Sequence, residues 1–177
     1  CVEPQKEIFD KYLKKYKKNT KIKCFNFAIS NKLGKKKINI NKKTSTTTFS
    51  KINPHSKWSK IKNILLTGSI KSSFVRKEIT KVITIDKFCQ TNKINKIDLL
   101  KIDTEGHEKE VLMGGIKMLS KKKIRYILLE FHLSSMYKNY KKNIIENILQ
   151  KNNFKLLASF KFPFLSFEDR IYYNHNL

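Results

Sequence analysis

The sequence predicts an α/β fold with an open parallel sheet, and three consecutive features support this prediction. Residues 97–102 form a short apolar run rich in Leu and Ile, which is typical of a strand buried on both faces. A polar turn at residues 103–106 follows this run. A helical stripe comes next, at Val111, Leu112, Gly115, Ile116 and Leu119. In a sheet of this kind, ligands bind beyond the carboxyl ends of the strands.

The N-terminal part predicts one helix and two strands. Pro4 suits the first turn of a helix, where its missing N–H is not needed. The apolar face of this helix consists of Ile8, Phe9, Tyr12, Leu13 and Tyr16. Residues 22–29 alternate between apolar and polar side chains, which predicts a strand. Residues 35–40 predict a short strand after a turn at Gly34.

Residues 41–78 show the weakest periodicity, and they predict a variable insertion within a single domain that spans residues 1–177. The polar run Thr44–Thr48 is typical of a loop. The larger side chains noted in this region are Phe49, His55, Trp58 and Phe74. Two interpretations stay open: a loop that contacts the substrate, or a solvated insertion with a small cluster of its own.

The C-terminal half continues the alternation of strands and helices. Residues 79–86 alternate in hydropathy and predict a strand. Gly114 and Gly115 fall inside the helix after the polar turn, which indicates either close approach to a strand or a break in the helix. The remaining predicted elements are a buried strand at residues 124–131, a helix at residues 140–149 and an antiparallel hairpin of residues 154–160 and 170–173.

Four side chains that can exchange protons follow the two buried strands. Asp103 and Glu105 follow the first strand, and Glu130 and His132 end the second. We expect all four at the same carboxyl edge of the sheet, where a carboxylate or an imidazole could act as a general base. The structural alternative is that Asp103 caps the next helix, that Glu105 complements its dipole, and that Glu130 and His132 are structural or incidental.

The segment IDLLKIDTEGHEKEVLMGG resembles the signature of the FkbM-type methyltransferase family. In that family a strand ends in Lys-Ile-Asp-Val-Glu-Gly, and Glu, Val-Leu and a small residue follow; Thr104 replaces the usual Val here. The shorter segments VEP, FAIS, VITIDKF and ILLEFH resemble the family as well. The resemblance implies a Rossmann-like class I methyltransferase sheet with helices on both faces. It also implies S-adenosylmethionine as cofactor and O-methylation of a hydroxyl on a sugar or polyketide-like small molecule.

The resemblance further implies cofactor-binding residues. Glu3 and Pro4 correspond to the family's Glu-Pro at a strand end, where the acid accepts hydrogen bonds from both ribose hydroxyls. A carboxylate suits this role because it only accepts hydrogen bonds and can do so with two oxygens. Ala28 and Ile29 correspond to backbone that lines the adenine, and Asp103 is expected near the cofactor. The alternative for Glu3 is a lone acid at a helix start.

A glycine-rich cofactor turn is expected after the first strand of such a methyltransferase, because there the backbone approaches the cofactor closely. The five glycines of this sequence do not form such a turn before Glu3. We therefore expect the first strand, the glycine turn and the first helix to lie upstream, and we expect a chain without them to bind the cofactor poorly.

The net charge of +25 raises the question of a polyanionic partner. Only three residues are Arg, whereas base and phosphate recognition favours the Arg fork over Lys. Lys, Ile and Asn are all abundant and share A/T-rich codons, so codon bias accounts for the composition. The charge does not favour nucleic acid as a specific partner. The alternative function is a non-catalytic basic protein on a degenerate Rossmann scaffold.

The three cysteines, Cys1, Cys24 and Cys89, are widely spaced and form no zinc or redox motif. They indicate a reducing, cytoplasmic setting. The paired acids could in principle hold a metal, but no ligand spacing supports one, so the sequence predicts no metal site. No apolar run is long enough to span a membrane.

Overall fold

The computed structural model describes residues 1–41, 47–67, 74–161 and 166–177. Within these ranges the chain forms two mixed β-sheets with associated helices. The elements in chain order are α1 (Lys6–Tyr16), β1 (Ala28–Ile29), β2 (Gly34–Asn41), α2 (Lys57–Thr67), β3 (Phe74–Ile83), α3 (Ile85–Thr91), β4 (Ile97–Ile102), α4 (Glu108–Met113), α5 (Ile116–Ser120), β5 (Ile124–His132), α6 (Lys142–Lys151), β6 (Phe154–Lys161) and β7 (Phe167–Asn174).

Each sheet contains one parallel pair of strands. The first sheet has the order β1-β3-β2, in which β1 is parallel and β2 antiparallel to β3. The second has the order β4-β5-β7-β6, in which β4 and β5 are parallel and β7 is antiparallel to both of its neighbours. The α/β class is confirmed, and both sheets are mixed, in the second sheet partly through the predicted antiparallel pair of β6 and β7. Ile102 pairs with Leu129, so β4 and β5 end at a shared edge.

The main hydrophobic core lies around β5. Ile127, Leu129 and Phe131 of this strand are each at most 1% exposed. The residues that pack with them include Cys89, Ile102, Leu112, Leu119, Ile145 and Leu149. Burying a side chain of this size stabilises the fold by about 1.5–3 kcal/mol. The core therefore fixes the positions of the strand ends that carry the candidate site.

Residues 41–78, the region of weakest periodicity, include regular structure that the sequence did not predict. This region contains all of α2 and the first part of β3. Strand β3 forms because residues 74–82 pair along nearly the whole length of β2, and this pairing stabilises a strand that the weak periodicity did not reveal. Residues 44–46 of the predicted polar loop lie outside the described residues.

Two predicted strands have different bounds in the structure. The strand predicted at residues 22–29 is reduced to β1, although Phe25 also forms an isolated parallel bridge with Val2. The strand predicted at residues 79–86 ends at Ile83, because Thr84 begins a helix there. Its Oγ1 accepts a hydrogen bond from Lys87 N at 3.0 Å, an N-cap that starts α3.

Both explanations offered for the glycine pair are confirmed. The predicted helix is divided into α4 and α5, with Gly114 and Gly115 between them. A Cβ on Gly114 would lie 2.1 Å from the carbonyl oxygen of Ser30, whereas one on Gly115 would meet only the side chain of Ile85, at 3.1 Å. Gly114 thus allows this helical segment to approach the end of β1.

The other predicted elements agree with the structure more closely. Helix α1 follows Pro4, but none of its residues is buried. Strands β4 and β5, helix α6 and the antiparallel pair of β6 and β7 are all present. The prediction that both faces of β4 are buried is wrong, because β4 forms one edge of its sheet and Leu99 on it is 55% exposed. Among the described residues, no helix has the length and apolar character needed to cross a membrane.

Candidate active site at the carboxyl ends of β4 and β5

A buried carboxylate, that of Glu108, organises the turn between β4 and α4. Its Oε1 accepts hydrogen bonds from Thr104 N at 3.1 Å, Thr104 Oγ1 at 3.0 Å and Gly106 N at 3.0 Å. The side chain is fully buried, and its Oε2 has no hydrogen-bond partner among the described residues. Burial raises the pKa of Glu108 to about 7, while these hydrogen bonds act in the opposite direction.

Two hydroxyl groups from the predicted insertion hold the other side of this turn. Thr48 Oγ1 donates to the carbonyl oxygen of Glu105, and Ser50 Oγ donates to that of Gly106, both at 2.6 Å. Thr48 is also tied to β2 by two backbone hydrogen bonds with Asn39. The start of the insertion therefore lies directly against the acidic turn.

The turn has an uncommon backbone conformation. Gly106 has φ +92°, and a Cβ at this position would lie 2.6 Å from the ring of Tyr137. Glu105 has φ +54°, which few residues other than glycine adopt. The contacts from Glu108, Thr48 and Tyr137 hold this conformation in place.

The side chain of Glu105 points to Tyr137, whose hydroxyl donates a hydrogen bond to Oε2. Glu105 is 9% exposed. Burial, followed by the charge of Glu105 and the hydrogen bond to it, raises the pKa of Tyr137 far above its ordinary value. The hydroxyl therefore remains protonated and serves as a permanent donor to Glu105. Sequence analysis missed Tyr137, which lies next to the turn because it pairs with Ile52.

The end of β5 brings two further predicted residues to the same place. His132 is fully buried, and its ring contacts the rings of Tyr137 and Tyr140 at centroid distances of 4.9 and 5.1 Å. Its Nε2 lies 3.5 Å from Glu130 Oε1, and the Glu130 side chain is 14% exposed. One oxygen or nitrogen atom each from Glu105, Glu130 and His132 lies within 4.8 Å of the others.

Asp103, the fourth predicted catalytic residue, has a different environment. Its side chain is 42% exposed, and Oδ2 lies 3.1 Å from Lys101 Nζ. The helix-cap alternative for Asp103 and Glu105 is not supported, because the N-cap position of α4 is His107 and carries no side-chain cap. The structure thus groups three predicted residues in a buried cluster and leaves Asp103 accessible beside it.

A second contact connects the acidic turn to the end of β1. His107 Nε2 lies 3.0 Å from Ser30 Oγ, which also accepts a hydrogen bond from Lys36 Nζ at 2.7 Å. Burial lowers the pKa of His107 to about 4, so the ring is neutral at pH 7 and can accept the Ser30 proton. Ala28 and Ile29 immediately precede Ser30, and Ala28 is 4% exposed. The predicted adenine-lining residues are thereby tied to the turn.

Glu3 lies directly after the parallel bridge between Val2 and Phe25. Its Oε1 accepts a hydrogen bond from Gln5 N at 2.8 Å, and its backbone carbonyl accepts one from the side chain of Asn26 at 3.0 Å. Burial raises the pKa of Glu3, and the Gln5 hydrogen bond lowers it. A partly buried carboxylate at the end of a parallel segment fits a ligand with paired hydroxyl donors.

Comparison with known families identifies the family of this chain. The family model described as the methyltransferase FkbM domain matches residues 1–156. The chain belongs to the FkbM methyltransferase family. The match includes the acidic turn, β5 with Glu130 and His132, and the N-terminal Glu3. A search of curated proteins found no match, and neither did a search of solved structures.

The Glu108 carboxylate should make the stability of this FkbM-family domain depend on pH. The pKa of Glu108 is 4.5 in an ordinary environment and about 7 in the folded chain. The stability that the protonated side chain contributes is therefore fully present below pH 4.5 and is lost as the pH rises to about 7. Glu108→Gln removes this dependence and keeps an oxygen acceptor. The difference in unfolding free energy between the variant and the wild type should therefore change with pH. It should favour the variant by about 3 kcal/mol more at pH 7.5 than at pH 4.5.

Urea unfolding at pH 4.5, 6.0 and 7.5 measures this difference. Glu7→Gln is the matched control, because Glu7 lies exposed on α1 and pairs with Lys11. An equal difference between Glu108→Gln and wild type at all three pH values would show that Glu108 has the same pKa in the folded and unfolded chain.

Proposed function

We propose that this protein catalyses S-adenosylmethionine-dependent O-methylation of a hydroxyl on a sugar or polyketide-like small molecule. The observation that supports this best is the position of the FkbM acidic motif, whose Glu105 is held by Tyr137 at the edge shared with β5. A general base and an accessible acid at this edge suit methyl transfer to a hydroxyl.

The reaction is a single displacement at carbon. A bond forms between the acceptor oxygen and the methyl carbon, the bond between that carbon and the cofactor sulfur breaks, and the hydroxyl proton passes to a base. Alignment of the three reacting centres is the main contribution of the protein. The rigid hydrogen bonding of the turn by Glu108, Thr48 and Ser50 suits this requirement.

S-adenosylmethionine supplies the methyl group, and the residues expected to hold it fit the cofactor. Glu3 would accept hydrogen bonds from the ribose hydroxyls. Ala28 and Ile29 would line the adenine, and Asp103 would lie near the cofactor on the accessible side of the turn. The contacts from Ser30 to His107 and to Gly114 support this assignment, because they bring the end of β1 close to the acidic turn.

The candidate bases differ in accessibility. Asp103 can meet a bound acceptor directly, because its side chain is 42% exposed. Glu105 lies deeper, where the Tyr137 hydroxyl fixes its orientation. His132 is fully buried, which favours a supporting role over direct contact with the acceptor.

A cleft beside the turn is the proposed position of the acceptor. It has a volume of about 470 Å³, and Ser50, which binds the turn, forms part of its wall. The other lining residues are Asn39, Lys51, Ile52, Pro54, Ser59, Lys60, Asn63, Lys77 and Lys138. The surface of the cleft is more apolar than polar, and a few hydroxyl, amide and ammonium groups lie in it, which suits a partly apolar ligand that carries hydroxyl groups. This agrees with a substrate-contacting role for the insertion.

Substitution of Glu3 tests the proposed ribose contact. In the full-length protein, Glu3→Ala should weaken S-adenosylmethionine binding by about 1.5–3 kcal/mol, because hydrogen bonds to a charged group are lost. Titration calorimetry measures the affinity, and Glu7→Ala on the exposed face of α1 is the control. Unchanged affinity in Glu3→Ala would exclude the ribose role.

Asp103→Asn and Glu105→Gln test the catalytic assignment. Both should lower the single-turnover rate of methyl transfer, by roughly 10²–10⁴ for whichever carboxylate is the general base. His132→Ala should lower it less, because its side chain does not reach the surface. Melting temperatures measured on the same samples separate lost chemistry from lost stability.

A near-normal single-turnover rate in both acidic variants would show that the motif is structural in this protein. A loss confined to Glu105→Gln would identify Glu105 as the base and leave Asp103 with cofactor contacts. Tight binding of polyanions without any methyl transfer would favour the non-catalytic alternative.

A further inference from the structure

The cluster of Glu105, Glu130 and His132 combines two carboxylates with one imidazole. These are the side chains that bind divalent metal ions such as Mn²⁺, Fe²⁺ and Zn²⁺ in proteins. They come from two places that are distant in sequence, the turn after β4 and the end of β5, and the parallel pairing of these strands brings them together. Ligand spacing within the sequence could not reveal such a group.

The separation of the ligand atoms is compatible with a shared ion. His132 Nε2 and Glu130 Oε1 are 3.5 Å apart, which is longer than an ordinary N–H···O hydrogen bond. Two ligand atoms bound to one Zn²⁺ at tetrahedral angles lie about 3.4 Å apart, since each is about 2.1 Å from the ion. The Glu105 oxygen lies within 4.8 Å of both, so all three ligand atoms are close to one position.

Negative charge is concentrated around this position, although the chain has a net charge of +25. Besides burial, the charges of Glu105, Glu108 and Glu130 all raise the pKa of Tyr137, and Glu105 also accepts a hydrogen bond from its hydroxyl. Glu108 is fully buried, and its Oε2 has no hydrogen-bond partner among the described residues. A divalent cation is attracted to a position where several carboxylates lie close together.

Neighbouring aromatic residues hold the ligands in position. The Tyr137 hydroxyl binds Glu105 Oε2, and the rings of Tyr137, Tyr140 and Phe167 surround the His132 ring. Hydrogen bonds and packing of this kind orient the ligands of protein metal sites. Phe167 lies on β7, beyond the residues that match the family model.

We propose that Glu105, Glu130 and His132 form a binding site for one divalent transition-metal ion at the carboxyl edge of β4 and β5. Metal binding itself does not require methyl transfer. A role for the ion as a Lewis acid that lowers the pKa of the acceptor hydroxyl rests on the proposed function.

Mn²⁺ is the appropriate probe, because it prefers oxygen and imidazole ligands to the free thiols of Cys1 and Cys24. The full-length protein is treated with EDTA, dialysed and titrated with Mn²⁺, and the electron paramagnetic resonance signal of free Mn²⁺ is followed. We expect one ion per chain. Glu130→Gln and His132→Gln should each weaken binding at least tenfold, and Tyr137→Phe should weaken it by about tenfold through Glu105.

His55→Gln is the control, because His55 is an exposed histidine of the same chain and should leave binding unchanged. The circular dichroism spectrum of each variant verifies folding, and the isosteric Glu130→Gln provides the test if His132→Gln does not fold. Absence of Mn²⁺ binding by the wild type would overturn the proposal, as would unchanged affinity in Glu130→Gln. Neither result depends on methyl transfer. A failure of the metal-site proposal can therefore be distinguished from a failure of the proposed function.

Discussion

The candidate site depends on the acceptance of three hydrogen bonds by the buried carboxylate of Glu108. Without this acceptor, the amides of Thr104 and Gly106 would be left without a partner inside the protein, at a cost of about 1–3 kcal/mol for each buried group. The turn could then relax from the left-handed conformation of Glu105 and Gly106. Glu105 would no longer face Tyr137. One interaction at the start of α4 therefore determines where the acidic motif of this FkbM-family chain directs its side chains.

The second constraint is the parallel pairing of β4 with β5. It places the turn after Ile102 beside the end of β5, so that Glu105 meets Glu130 and His132 although 25 residues or more separate them in sequence. The core around Leu129 and Phe131 holds this pairing. Stability and site geometry are thus coupled, because the same strands supply the buried apolar surface and the polar ends.

The sequence revealed the elements whose apolar pattern is strong. Strands β4 and β5, helix α6 and the hairpin of β6 and β7 carry continuous or periodic apolar residues that tertiary contacts reinforce. The predictions were wrong where pairing or capping determined the outcome. Strand β3 depends on its pairing with β2, and α3 depends on the hydroxyl of Thr84. Neither interaction is visible in local periodicity.

The residues of the candidate site likewise include some that local sequence patterns indicate and others that only tertiary contacts bring into place. The predicted acids and His132 could be found because they directly follow apolar strands or fall within the family motif. Tyr137 and Ser50 act through contacts across 32 and 56 residues, and no local pattern indicates them. Glu108 belongs to the motif, but its role became apparent only from its burial and its three donors. The cluster of Glu105, Glu130 and His132 comes from the turn after β4 and the end of β5, so it has no characteristic spacing in the sequence.

Amide hydrogen exchange at Thr104 and Gly106, followed by NMR in wild type and in Glu108→Ala, tests this account most directly. If the Glu108 carboxylate holds the turn, exchange at both amides should accelerate at least tenfold in the variant, while the amide of Ile127 in the core of β5 stays protected. Unchanged protection of Thr104 and Gly106 in a folded Glu108→Ala protein would contradict the account, because the turn would then keep its conformation without the carboxylate.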